Sequence, residues 1–113
     1  MTRRKVRWAK SARRDLELIV AYLANHAPKA ALATLDRLET RAKSLSTFAE
    51  RGRIVPELGR LHIQQYRDLV IPPYRLVYRI RDAQVLVLAF LDARRSLEDA
   101  LLDRLISIEG QEL

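Results

Sequence analysis

The stretch that most constrains this chain is Tyr66 to Arg95, YRDLVIPPYRLVYRIRDAQVLVLAFLDARR, in which strand patterns follow one another with almost no slack. Successive side chains of an extended segment point to opposite faces, so Tyr74, Leu76, Tyr78 and Ile80 share one face and Arg75, Val77 and Arg79 share the other. The first face suits a core, and the second suits an anion or an acidic partner. Strands are predicted at His62–Ile71, Tyr74–Arg81 and Val85–Leu91. Pro72 and Pro73 separate the first two, and because proline cannot supply the positive torsions of a tight I′ or II′ turn, a wider bend is expected there. Val85–Leu91 is apolar on both faces, which places it centrally in the sheet.

Upstream, Lys5–Trp8 alternates as a short strand with Val6 and Trp8 on one face, and Trp8 is expected to face inward. Ser11 then reads as an N-cap, and Leu16, Ile19, Val20 and Leu23 recur at helical spacing, predicting a helix over Ala12–Asn25. Pro28 breaks it and opens a second helix to Ser46, with Ala31, Leu35, Leu38, Ala42 and Leu45 on one face. So short a connection makes the two a helical hairpin. Thr47–Leu61 lacks a helical period and reads as an ordered loop, with Gly52 and Gly59 permitting positive torsions and Pro56 fixing one. Ser96 and Asp99 resemble a capping box, and Leu97, Leu101, Leu105 and Ile108 continue a last helix. The expected fold is α+β: a small antiparallel sheet, built from the N-terminal strand and a three-stranded meander, with the hairpin on one face and a C-terminal helix. At 113 residues this is one domain over the whole chain, 1–113.

Charge placement carries more information than the net value of +7. Residues 1–14 hold Arg3, Arg4, Lys5, Arg7, Lys10, Arg13 and Arg14 with no acid, so they account for the whole excess. Residues 37–95 hold twelve basic and six acidic groups, whereas 96–113 hold one and five. That asymmetry favours an anionic partner, either nucleic acid or an acidic protein segment, while net charge for solubility explains the excess equally well. No run approaches the roughly 18 apolar residues of a membrane span, and no apolar segment follows the basic N-terminus as in a secretory signal. Without cysteine there is no disulfide, thiolate metal site or cysteine nucleophile, and a cytoplasmic location is expected, with no membrane partner.

Common catalytic patterns are missing: no Gly-rich phosphate loop, HExxH, GxSxG or metal-spaced cluster occurs, and neither a metal nor a cofactor is expected. His26 and His62 lie far apart, one in an interhelical turn and one entering a strand, and a solvated role suits both better than a catalytic base. The remaining chemistry is arginine. Arg75 and Arg79 share a strand face, Arg67 lies on the preceding strand, and Arg94 and Arg95 emerge past the central strand. Their forked donors suit phosphate or carboxylate oxygens, with Tyr66, Tyr74 and Tyr78 available for stacking; tyrosines that pack and arginines that meet water or Asp68, Asp82 or Asp92 are the plainer alternative.

RGRIVPELG, YRDLVIPPYRLVYRI and VLVLAFLDARRSLEDAL resemble the ParE/RelE superfamily of type II toxin-antitoxin toxins, the ParE-like branch in particular. The resemblance runs from Lys5 over nearly the whole chain and implies a small antiparallel sheet carrying two helices. It implies two functional classes: ribosome-dependent mRNA endoribonucleases of the RelE kind, and ParE toxins that inhibit DNA gyrase. Both are neutralised by an antitoxin whose tail folds onto the toxin, here a cognate ParD-like antitoxin. The nuclease branch has an arginine where Arg75 stands and a C-terminal histidine or tyrosine after the last strand, where this chain reads Asp92, Ala93, Arg94, Arg95. A 2′-hydroxyl attack needs groups that take and return a proton, or cations acting in their place. Arg94 and Arg95 stabilise charge but are too basic to shuttle protons. The resemblance therefore implies a gyrase-binding toxin using Arg67, Arg75, Arg79, Arg94 and Arg95 toward target or antitoxin. The alternatives are a metal-independent nuclease using Arg75, Arg94 and Arg95, and a member that only binds its antitoxin.

Overall fold

In the computed structural model, which describes residues 3–93 together with Arg104 and Leu105, the elements follow the sequence closely. Strand β1 is Lys5–Trp8, helix α1 Lys10–His26 and helix α2 Pro28–Ser44; a 3-10 turn, Ala49–Arg51, precedes β2, Arg53–Ile54. A helical turn α3, Pro56–Gly59, leads to β3, Tyr66–Ile71, β4, Tyr74–Arg81, and β5, Gln84–Asp92. The spatial order is β1-β5-β4-β3-β2, with β5, β4, β3 and β2 antiparallel in turn. The α+β architecture with a hairpin on one face stands as expected. One detail differs: β1 runs parallel to β5, so the sheet is mixed, because the chain passes through the whole hairpin before it returns to the sheet.

Leu16, Leu38, Ala42 and Leu45 of the hairpin region bury against Leu69, Ile71, Leu76, Tyr78, Val85, Val87 and Phe90 of the sheet. Full burial of each such aliphatic or aromatic side chain contributes roughly 1.5–3 kcal/mol, so this layer holds the hairpin in place. The opposite sheet face is also covered. Val77, Leu88, Ala89 and Tyr66 form a second core there with Ala9, Val55, Leu58 and Leu105. A bulge links the two layers: Val77 pairs with Ala89 and Tyr78 with Val87, which leaves Leu88 as an extra residue on β5. The strand's phase changes at that point, so Leu88 and Ala89 both join the second core and Phe90 returns to the first, its ring 5.1 Å from Trp8.

β1 ends before the bulge, and α1 takes over the backbone groups it would have paired. Ser11 Oγ donates to the Leu88 carbonyl at 3.1 Å, and Asp15 Oδ2 accepts the Phe90 N–H at 3.1 Å. Ser11 is therefore not an N-cap; the helix starts one residue earlier at Lys10, with Ala9 in the cap position and no side-chain cap bond. The same Asp15 oxygen takes Arg104 Nη1 at 2.8 Å, beside Leu105 in the second core. Arg104 and Leu105 are helical, and the remainder of the predicted last helix, Ser96 to Ile108, lies outside the described residues.

Three local readings change. The β3–β4 connection is a tight two-residue turn rather than a wide bend, since Ile71 pairs directly with Tyr74 and the Pro72–Pro73 peptide bond is cis, the arrangement of a type VI turn. Thr47–Leu61 contains the two-residue strand β2 and α3, both too short to show a period. No glycine among the described residues has positive φ; that geometry falls to His62 (63°) and Asp82 (53°).

Candidate functional site

The residues that carry chemistry converge on the second face of the sheet. β3 and β4 pair Val70 with Arg75 and Asp68 with Val77, and β2 pairs Arg53 with Asp68, so Arg53, Asp68 and Arg75 meet across three strands. Pro56 opens α3 and sets Glu57 in its first turn, above Arg75. Arg75 Nη1 and Nη2 grip the two Glu57 carboxylate oxygens at 2.6 and 2.8 Å, and its Nε donates to Asp68 Oδ2 at 2.6 Å. Arg53 Nε closes the set on Asp68 Oδ1 at 2.8 Å. Two guanidinium groups and two carboxylates balance. Arg75 is 5% exposed and Asp68 1%, so the pairing is shielded from water and salt.

This arrangement overturns the reading of Arg75 as a cation on an open face. The strand alternation is right, but α3 and the second core cover that face, and each nitrogen of the guanidinium faces a carboxylate. The bonded partners raise the Arg75 pKa, with the Glu57 hydrogen bonds the largest cause. In return, the Arg75 hydrogen bond holds the Glu57 carboxyl down at about 2 against an ordinary 4.5. Because the folded value lies below the unfolded one, Glu57 contributes stability that is complete above about pH 4.5 and is lost as pH falls toward 2. An acid titration of stability by far-UV circular dichroism is expected to show this loss, and Glu57→Gln to remove most of it. An unaltered acid limb in Glu57→Gln would place the sensitivity elsewhere.

The other predicted arginines are dispersed. Arg67 points to the hairpin side and donates Nη1 to the Gly52 carbonyl at 2.7 Å, a structural bond. Arg79 stays on the second face with its guanidinium 5.8 Å from the Tyr66 ring centroid. Arg94 and Arg95 lie outside the described residues. Tyr78 is fully buried: its hydroxyl donates to the Ala49 carbonyl at 2.5 Å and accepts the Gly52 N–H at 2.9 Å, and burial raises its pKa. Tyr66 is buried and Tyr74 packs against the first core, so none of the three tyrosines offers an open stacking platform.

The histidines take no part. His26 engages the Tyr22 carbonyl through Nδ1 at 2.8 Å and stacks on the Tyr22 ring at 4.0 Å, and His62 is exposed in the turn after α3. Among the described residues no group of three or more His, Asp or Glu could hold a metal ion, and no helix is long and apolar enough to cross a membrane. A cleft of about 430 Å³ lies between Trp8 and the hairpin, lined by Arg13, Leu16, Glu17, Glu39 and Lys43. Sequence reasoning missed Glu57 as the partner of Arg75 and Arg53 as the partner of Asp68, although GRIVPELG contains both; no local period marks pairings 18 and 15 residues apart.

Comparison with known proteins matches residues 6–97 to the family described as the ParE toxin of the type II toxin-antitoxin system, parDE. Toxin RelE2 of Caulobacter vibrioides is 35% identical over 91 residues, which span 80% of this chain and 97% of that protein. Among solved structures, the chromosomal ParDE TA system from P. aeruginosa superposes with a TM-score of 0.69 at 19% identity, over 80% of this chain and 97% of that one. The RelBE2 toxin-antitoxin complex from Mycobacterium tuberculosis gives 0.57 at 27% identity, over 82% and 95%.

Proposed function

We propose that this chain, which belongs to the ParE toxin family of type II toxin-antitoxin systems, acts as a toxin by binding DNA gyrase and not by cutting RNA, and that a cognate ParD-like antitoxin silences it. The carrying observation is the closed state of Arg75. A strand arginine that grips a scissile phosphate has to present its fork to solvent. Here Glu57 and Asp68 already occupy it, and Glu57, with its carboxyl held at about 2, stays ionised at neutral pH and does not yield the site by protonation. His26 is engaged with Tyr22 and His62 is exposed in the turn after α3, so neither is hydrogen-bonded to the cluster as a proton carrier. Binding, in contrast, asks only for a shaped surface.

The antitoxin surface is assigned to the hairpin. Leu18, Tyr22 and Leu32 are 57%, 60% and 75% exposed, an apolar set on two helices that suits an amphipathic segment, and the cleft beside Trp8 offers both signs of charge, Arg13 and Lys43 with Glu17 and Glu39. The family match and the solved ParDE and RelBE2 assemblies support a protein partner of this kind.

With purified protein, gyrase supercoiling of relaxed plasmid is expected to be inhibited, and adding the antitoxin to restore it. Undisturbed supercoiling in a preparation that still arrests growth would overturn the gyrase assignment. The names RelE2 and RelBE2 favour a second reading, a ribosome-dependent mRNA endoribonuclease. Codon-positioned mRNA ends after brief induction separate it from the first, since gyrase inhibition produces none.

A further inference from the structure

Among the described residues, the large apolar side chains left exposed fall into two groups. Leu18, Tyr22 and Leu32 lie on the hairpin; Phe48, Ile54, Leu61 and Val70, at 43%, 40%, 43% and 44% exposure, lie along the outer edge of the sheet, where β2 is the last strand. β2 pairs with Arg67 and Asp68 alone, so β3 runs on past it to Val70 and Ile71. The Val55 N–H donates to the Tyr66 carbonyl at 3.0 Å, which sets the phase of the backbone groups. Those of Tyr66, Asp68 and Val70 point toward β2, and those of Ile54 point away from the sheet. No described strand stands opposite Val70 on that side. At the Ile54 end, Ile54 Cγ2 lies 3.6 Å from where a Cβ on Gly59 would stand, and the Leu61 N–H closes onto the Leu58 carbonyl at 2.9 Å, so α3 brings Leu61 to this rim. At the other end, Arg51 sits with its guanidinium 4.6 Å from the Phe48 ring centroid.

Cations are interleaved with these side chains. Arg51, Arg53 and Arg60 are exposed, and exposed Arg37 donates Nη2 to the Pro72 carbonyl in the β3–β4 turn. The carboxylates of this region are engaged: Asp68 by Arg53 and Arg75, Glu57 by Arg75, and Glu50 by Arg4 at 3.8 Å. We infer that this edge is where the toxin meets its protein target, and that it takes an extended segment rich in acidic and apolar residues. The assignment rests on the reading of the chain as a toxin that acts by binding a protein. Apolar contacts that include an aromatic ring and are bordered by arginine have the make-up of a protein interface. Cations alone on a short edge strand would serve to block strand pairing, whereas four exposed apolar side chains invite contact. Ile54 pairs with Arg67 and Val70 shares the face of Asp68, so the two flank the edge from opposite faces. An extended chain sends its side chains alternately up and down and meets both. A second copy of this chain would set these arginines against one another, which disfavours it as the occupant.

The test is fluorescence anisotropy of the full-length protein at 50 mM salt with a labelled peptide of three Glu-Val-Val-Glu repeats, which carries acids and valines on both faces when extended, and with its Lys-Val-Val-Lys counterpart. Wild type is expected to bind the acidic peptide and not the basic one. Ile54→Ser with Val70→Thr, and separately Arg51→Glu with Arg60→Glu, should each weaken binding at least about tenfold while the urea midpoint and antitoxin affinity stay unchanged. Arg51→Gln with Arg60→Gln gives the same direction in a milder form if the reversal unfolds the loop. Lys10→Glu with Arg14→Glu makes an equal change in net charge beside β1, at the opposite end of the sheet, and should leave affinity within about twofold. Absent wild-type binding, equal binding of the two peptides, or unchanged affinity in folded edge variants overturns the site. Equal weakening by the Lys10 and Arg14 reversals marks a general charge effect and also overturns it, and antitoxin affinity lost with the edge variants gives the edge to the antitoxin instead. Growth arrest retained by variants that no longer bind the peptide overturns it as well. Supercoiling separates this site from the gyrase assignment: where wild type leaves gyrase undisturbed but the edge variants lose both peptide and growth arrest, gyrase is the wrong target and the edge stands.

Discussion

Replacing Arg75 with alanine is expected to destabilise the protein by about 3–5 kcal/mol, the range found when one partner of a buried ion pair is removed. The Asp68 side chain is 0% exposed and, among the described residues, would keep Arg53 alone, whose own side chain is 53% exposed, while Glu57 would lose both of its bonds to Arg75. α3 packs on the sheet through Val55 and Leu58, so loosening Glu57 also loosens the cover of the second core. Urea unfolding followed by circular dichroism measures this as a lowered midpoint. A loss below about 1 kcal/mol, the size of an exposed pair, would show that the cluster is not a clamp. Replacing Arg75, Asp68 and Glu57 together with apolar residues of similar volume should cost much less, because no charge is left buried alone. The functional corollary is specific: toxicity lost through Arg75→Ala should track the loss of folded protein. A folded, stable and harmless Arg75 variant would instead indicate contact with a target.

Gly52→Ala is expected to cost about 3 kcal/mol, combining overpacking with a buried hydroxyl pulled from its partners. A Cβ at position 52 would lie 2.4 Å from the Tyr78 hydroxyl and 2.8 Å from the Asp68 carbonyl oxygen, one of them backbone and neither able to retreat. Tyr78 is fully buried, and its hydroxyl ties together the Ala49 carbonyl and the Gly52 N–H, which hold the loop to the sheet. Gly59→Ala supplies the control. A Cβ there meets Ile54 Cγ2 at 3.6 Å, an ordinary contact, so its unfolding midpoint should shift little. Equal effects at the two positions would refute the steric account. Adding Tyr78→Phe to Gly52→Ala should recover part of the loss, since the clashing oxygen is gone.

These two positions show where reading along the chain succeeds and where it stops. The alternation of Tyr74–Arg81 located β4 at its observed ends, and the helical period of Leu16, Ile19 and Leu38 placed the hairpin on its correct face. Both are local signals in which a side chain's direction follows from backbone geometry alone. Gly52 was legible as a glycine the loop requires, but the reason was misassigned: its φ is −70°, open to any residue, and the constraint is Tyr78 pressing from 26 residues away. Ser11 looked like a cap because capping residues precede helices, yet its hydroxyl serves a carbonyl freed by the bulge at Leu88. No pattern in β5 announces that bulge.

Local periodicity thus determined the α+β class, the boundaries of β1, α1, α2, β4 and β5 to within a few residues, and the division of Tyr66–Asp92 into two faces, while β2 and α3 were too short to show. The tertiary structure decided what the second face is. Alternation placed Arg75 and Arg79 side by side in role, and the fold separated them: α3 and β2 bring Glu57, Asp68 and Arg53 around the first, whereas β1 returns from the far end of the chain to set Lys5 and Arg7 in rows with the second. The physical reason is that the state of a charge depends on burial and on which opposite charges lie within a few ångströms, and both are set by sheet register and not by spacing in sequence.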